Sequence, residues 1–282
     1  MATITNQAAL SYNGITTLSN IAVGELVEVL TVTKTAADTT YTPGSTKTYA
    51  ISLVNSGAAP FTGLTITDTL GSYAFNNGTL YPLTYVTGSL LYYVNGILQA
   101  TPAIADTAPL TVTGLSVPAG GSAMLVYSAT VNEFAPLGVE DSIVNTVSVT
   151  GGGLAAPVTA TETINASTTP QLSISKSICP ATIAENGTLT YTLTLQNRGN
   201  TAATASDELV ITDTFDPILK DLSVSFNGTV WTEGVHYTYD AATGAFATVT
   251  GALTVPAATY TQDAATGIYT VDPGVSNLVI TG

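Results

Sequence analysis

Few of the 282 residues carry groups capable of chemistry: the chain has four lysines, one histidine and one cysteine. Two of the lysines stand in matching surroundings, Lys34 in LTVTKTAADTTYTPGSTKTYAISLVNSG and Lys176 in LSISKSICPATIAENGTLTYTLTLQNRG. A lysine set among Val, Leu and Tyr side chains is desolvated, which lowers its pKa and favours the neutral, nucleophilic amine. A carboxylic acid kept protonated by the same dry surroundings can hydrogen-bond to an asparagine carboxamide, polarise it and pass a proton to departing ammonia. The candidate acids lie further along both copies, where LTITDTL (Leu64 to Leu70) matches LVITDTF (Leu209 to Phe215) and sets Asp68 on Asp213. A candidate asparagine, Asn145, sits in SIVNTVSVT, Ser142 to Thr150. The first copy therefore holds Lys34, Asp68 and Asn145. The second holds Lys176 and Asp213 without an asparagine in its own module.

Taken singly, each residue has an ordinary use: a strand lysine guards a sheet edge, and an aspartate after a strand caps a turn. It is the recurrence of the group that points to chemistry. Which carboxylate assists stays open, since Glu140 and Asp141 lie close to Asn145 in sequence.

The elements that must position these groups are strands. The chain is 45% hydrophobic but 9% charged, rich in β-branched residues, and its short apolar runs are punctuated by Gly, Pro, Asn or Asp. That pattern predicts an all-β chain of sandwich type. The length suits about two domains of ordinary size, and the internal repeat says the same. Tyr49 falls on Tyr191, Asn55 on Asn197 and Gly57 on Gly199; more weakly, VPAGGSAMLVY from Val117 matches VDPGVSNLVIT from Val271.

The first copy continues into SIVNTVSVT, and the second has no such segment after it. The only other stretch that fits is the opening one, ITNQAALSY, where Ile4, Asn6, Ala8 and Leu10 fall on Ile143, Asn145, Val147 and Val149. The chain thus reads as an N-terminal donor strand and connector (1–29), a complete module (30–165) and a module lacking its last strand (166–282). A sandwich missing a strand exposes an edge and an apolar groove that another copy's opening segment can fill. Donor and acceptor at opposite ends of one chain make a head-to-tail contact that propagates as a filament. In that register Asn6 arrives beside Lys176 with Asp213 nearby. A lone strand cannot satisfy its backbone groups, so the opening segment is expected to be disordered until it joins a sheet.

The strand lysine (TVTKT, SISKS), the YxxxLxNxG strand, the ITDT strand and the NTxxV strand together resemble the bacterial surface-repeat module known as domain of unknown function 11. The resemblance covers nearly the whole chain. It implies immunoglobulin-like sandwiches in cell-surface and fibre proteins, of a kind whose relatives form spontaneous Lys-Asn isopeptide bonds. Here those would be Lys34 to Asn145 within a chain and Lys176 to Asn6 between chains, assisted by Asp68 and Asp213. The leaderless start is similar to that of appendage proteins on bacterial spores, which implies an extracellular cell- or spore-surface location and a host or spore-surface anchor protein as a further partner.

Other classes of function fit poorly. A net charge of −14 opposes nucleic acid and anionic membrane surfaces, and no apolar run approaches the roughly 20 residues of a membrane span. Cys179 has no partner for an intrachain disulfide, and His236 alone builds neither a metal site nor a catalytic triad. The Asn-Gly-Thr triplets at Asn77, Asn186 and Asn227 read as turns, and the two DAATG turns with Trp231 as an extra hairpin of the second module. The expectation is a non-enzymatic, self-associating protein with no cofactor and no metal. The alternatives are a piece of a longer multi-repeat adhesin or surface-layer protein, or a carbohydrate-binding sandwich domain.

Overall fold

Alternation of apolar and polar residues in the sequence becomes alternation of buried and exposed positions along strands. The computed structural model describes residues 2–26 and 28–282; Met1 and Val27, both inside the segment 1–29 assigned to donor strand and connector, lie outside them. The chain is all-β, its sheets packed around two cores.

The opening residues form β1 (Ala2–Asn6), β2 (Ala9–Tyr12), β3 (Ile15–Leu18) and β4 (Ala22–Leu26). Strand β1 pairs with β4, with Asn6 opposite Ala22, and β2 pairs with β3, with Tyr12 opposite Ile15. The segment is therefore one long hairpin, which corrects the expectation of a lone strand that is disordered before assembly. The cause is local: Asn13 and Gly14 both take positive φ, 49° and 79°, the two-residue turn that suits twisted strands. The returning strand then satisfies the backbone groups of the first.

The first sandwich contains β5 (Leu30–Ala36), β6 (Thr40–Tyr41), β7 (Thr46–Asn55), β8 (Phe61–Asp68), β9 (Tyr73–Phe75), β10 (Gly78–Leu80), β11 (Leu83–Tyr85), β12 (Leu91–Val94), β13 (Ile97–Leu98), β14 (Ala103–Thr107), β15 (Leu110–Val117), β16 (Ser122–Val131), β17 (Ser142–Gly151) and β18 (Val158–Ala166). One sheet runs β13-β12-β16-β7-β5, the other β14-β15-β8-β17-β18-β6. Between them lies a core that includes Tyr49, Leu53, Leu64, Leu115, Tyr127 and Val147. Strands β17 and β18 are a hairpin: β17 pairs with β8, while β18 packs across β5 and meets β6 in parallel through Tyr41.

The second part contains β19 (Leu172–Cys179), β20 (Thr190–Asn197), β21 (Thr212–Thr214), β22 (Ser223–Phe226), β23 (Thr229–Val230), β24 (Tyr237–Asp240), β25 (Ala245–Thr248), β26 (Thr259–Gln262), β27 (Tyr269–Asp272) and β28 (Gly274–Thr281). Its sheets are β19-β20-β28-β22-β23 and β21-β25-β24, around a separate core with Phe215, Trp231, Phe246, Leu278 and Ile280. Strands β19 and β20 repeat β5 and β7, since Lys176 opposes Leu193 as Lys34 opposes Ile51. Strand β28 repeats β16, but one residue away from the sequence match: Ile280 opposes Tyr191 where Tyr127 opposes Tyr49. A one-residue slip turns every side chain to the other face, so burial of Leu278 and Ile280 selects this register.

The two DAATG turns separate. The hairpin β24–β25 belongs to the second core, as expected. The hairpin β26–β27 instead docks on the first module, packing Tyr260, Tyr269 and Val271 against its core. Gln262 Nε2 donates to Tyr73 Oη at 2.9 Å, and Tyr269 N–H to Glu133 O at 2.9 Å. Two tyrosines and a valine gain more from that neighbouring apolar surface than from solvent. Among the described residues no helix is long and apolar enough to cross a membrane, and no group of three or more His, Cys, Asp or Glu is placed to hold a metal ion.

Candidate functional site

In β5 the alternate residues Leu30, Val32 and Lys34 point inward, so an ammonium-bearing chain enters the first core with the same pleat that buries its apolar neighbours. Asp68 ends β8 and Asn145 lies in β17; neither exposes any surface. Lys34 Nζ donates to Asp68 Oδ2 at 2.5 Å, and Tyr127 Oη donates to the same oxygen at 2.6 Å. The other carboxylate oxygen accepts Leu70 N–H at 3.0 Å. Asn145 Nδ2 donates to Tyr127 Oη at 3.2 Å, so Lys34, Asp68, Tyr127 and Asn145 form one continuous hydrogen-bonded chain.

The carboxamide oxygen of Asn145 faces two donors, Gly71 N–H at 3.2 Å and Thr69 Oγ1 at 3.3 Å. A backbone N–H can only donate, which fixes the oxygen on that side and the nitrogen beside Tyr127. Gly71 is required here. Its φ is 69°, and a Cβ would meet Ile143 Cγ2 at 2.3 Å.

Burial lowers the Lys34 ammonium to about 8, against the smaller upward pull of Asp68 and Glu162. Burial and the Asp68 charge raise the Tyr127 phenol well above its ordinary value. The Lys34 Nζ also stands 5.1 Å from the Tyr49 ring centroid. The arrangement supplies an amine of reduced basicity, a carboxyl group in direct hydrogen-bond contact with it, a carboxamide held at both ends, and donors aimed where negative charge grows on an attacked carbonyl. Glu140 is exposed and the Asp141 carboxylate takes up Gly138 N–H at 2.6 Å, so Asp68 is the acid in contact with the lysine.

The second pair repeats half of this. Lys176 Nζ donates to Asp213 Oδ2 and lies 4.4 Å from the Tyr191 ring centroid. Its side chain is 38% exposed, against 0% for Lys34. Strand β21, the counterpart of β8, has β25 on one side and, among the described residues, no strand on the side where β8 has β17. Asn6 is not brought to this pair within the chain; it stands exposed in the N-terminal hairpin, as do Ile4, Ala8 and Leu10.

No protein-family model matches the chain, and no curated protein does. Among solved structures it is similar to the pilus backbone RrgB of Streptococcus pneumoniae, at 11% identity and a TM-score of 0.36, covering 86% of this chain and 55% of that one. It is also similar to the N-terminal domain of the Streptococcus gordonii adhesin Sgo0707, at 15% identity and a TM-score of 0.34, over 54% of this chain and 36% of that one. A third is ACE19, the collagen binding subdomain of Enterococcus faecalis surface protein ACE, at 8% identity and a TM-score of 0.31, over 49% of this chain and 98% of that one. The chain thus spans about half the length of the first of these. At such identities and scores the likeness carries no argument about function.

Tyr127, Thr69 and Gly71 escaped the sequence reading. Tyr127 sits in an apolar strand whose repeat match places a threonine against it, and the structural register places Ile280 there instead. A hydroxyl present in one copy and absent in the other leaves no repeated signal.

Proposed function

We propose that the protein is a non-enzymatic structural subunit of a cell- or spore-surface fibre, joined head to tail by donation of the N-terminal segment into the second module and locked by Lys-Asn amide bonds. The observation that carries this reading is the contrast between two congruent lysine-carboxylate pairs. The first is sealed beneath β17 with Asn145 in its hydrogen-bonded chain; the second is open, beside an unpaired strand edge.

Within the first module the chemistry balances without a cofactor. Lys34 passes a proton to Asp68, and the neutral Nζ attacks Cγ of Asn145. Gly71 N–H and Thr69 hydroxyl hold the resulting oxyanion. Asp68 returns a proton to Nδ2 through Tyr127, the C–Nδ2 bond breaks and ammonia leaves. The amide nitrogen yields its surplus proton to Asp68, which ends as a carboxylic acid. Burial holds the reacting groups together, which converts a slow intermolecular exchange into a local one.

At the second pair the missing carboxamide is Asn6 of another copy, in the register that sets it on Asn145. Strand addition to the open edge of β21 supplies backbone hydrogen bonds and apolar cover. Electron microscopy of the purified protein, followed by boiling in detergent with reductant, tests this reading. Filaments that yield a ladder of multimers support it, and a reductant-resistant ladder excludes Cys179 disulfides. A protein that stays monomeric under all conditions refutes assembly. Filaments that fall to monomers refute the covalent step alone.

A further inference from the structure

We infer that the donated element is the whole hairpin β1–β4, filling the places of both β17 and β18, and not a single strand. The inference rests on strand donation as proposed above and adds the identity of what is donated.

Three observations converge on it. First, among the described residues the second module has no counterpart of two strands, β17 and β18, and not of one alone. In the first module β18, more than β17, covers the inner face of β5 and pairs with β6, where Tyr41 is 1% exposed. Its counterpart by the repeat, Ile183, is 40% exposed, and on β19 the inward residues Ile174 and Ile178 are 55% and 43% exposed. A single strand beside β21 would leave these uncovered. Exposed apolar residues clustered on one face mark an interaction surface.

Second, residues 2–26 already have the shape that is missing. Asn6 opposes Ala22 as Asn145 opposes Glu162, and in both hairpins the strand carrying the asparagine comes first. Third, the hairpin's described large apolar side chains lie open: Ile4, Leu10, Tyr12, Ile15, Leu18 and Val23 all stand more than half exposed. A two-stranded ribbon with no core is marginal by itself and gains a third strand on docking. Unzipping it to donate one strand would sacrifice the ladder that joins β1 to β4 and leave β3–β4 without partners.

The test is a lock across the hairpin. Thr5 opposes Val23 on the face turned away from that of Asn6, so Thr5→Cys with Val23→Cys, in a Cys179→Ser background, closes a disulfide that leaves the docking face unchanged. If the hairpin enters whole, the oxidised protein assembles to the same extent as the reduced one and gives the same boiling-resistant ladder. If only the reduced form assembles, a single strand is donated and the inference is overturned. Hydrogen exchange on wild-type filaments supplies an independent reading should the double variant fold poorly. Protection is expected over 2–12 and 15–26 alike; protection confined to 2–12 overturns the hairpin while leaving strand donation intact. Wild-type filaments with neither stretch protected would overturn donation itself.

Discussion

Replacing Asn145 by Ala removes the carboxamide and leaves the Lys34–Asp68 pair in place, so it isolates what the proposed first bond contributes. Joining residues 34 and 145 closes a loop of about 110 residues, which by the chain-entropy estimate stabilises the fold by about 5 kcal/mol. The variant bears a second cost, because its lysine stays an amine. Lys34 is held at about 8 in the folded chain against 10.5 when free, and at 1.36 kcal/mol per unit that is about 3 kcal/mol. The sign follows from proton counts: between these values the unfolded chain binds more protons, so the variant gains stability as pH rises from 8 toward 10.5, and below 8 it carries the full cost. With the proposed amide closed, Lys34 has no such titration. The expected deficit is therefore about 8 kcal/mol at pH 7, narrowing to about 6 near pH 10. At roughly 3 °C per kcal/mol, the first module melts about 20 °C or more below wild type at pH 7. Calorimetry of both proteins at the two pH values measures this. A difference that does not narrow with pH, or a wild-type intact mass that shows no loss of ammonia, would refute the reasoning.

Further outcomes follow from the same geometry. Asp68→Asn takes away the proton acceptor beside Lys34 and should slow amide formation by about 10²- to 10⁴-fold, read by intact mass at intervals after synthesis. Tyr127→Phe keeps the ring stacked on Tyr49 but cuts the link from Asp68 to Asn145, so the bond should still form, more slowly, on the same assay. Asn6→Ala and Lys176→Ala should each give filaments that dissociate to monomers on boiling; tryptic peptides joining Lys176 to any residue other than Asn6 would show the register to be wrong. Gly267→Leu places a Cβ where Leu80 Cδ1 lies 2.3 Å away and should unseat β26–β27, splitting a single calorimetric transition into two.

The strand pattern and the lysine repeat were legible because both rest on side-chain period, which is a property of the chain itself. Asp68 and Asn145 could be named because their neighbours recur or alternate. The hairpin could have been found: Tyr-Asn-Gly-Ile at residues 12–15 is a strong reversal signal. The docking of β26–β27 on the first module depends on surfaces far apart in sequence, such as Tyr73 with Gln262, and no local pattern encodes such a meeting. The slip between β16 and β28 shows the same limit: three matching residues suggested one alignment, while burial of alternate side chains selected another.

Both lysines lie on the first strand of their module, and that position decides which parts of a fibre would bear tension. With both bonds closed, a pull arriving at Asn6 travels along the backbone to Lys34, crosses to Asn145, follows β17 and β18 to Lys176 and leaves through the next copy's Asn6. The residues between Lys34 and Asn145, and everything after Lys176, hang from this line without being part of it. Force could not peel β7 or β16 from its sheet, because no load reaches them. Only the hairpins on the path, β2–β3 and β17–β18, could open before covalent bonds take the load. The fibre's off-path surfaces are then free to vary in sequence without weakening the strand they decorate.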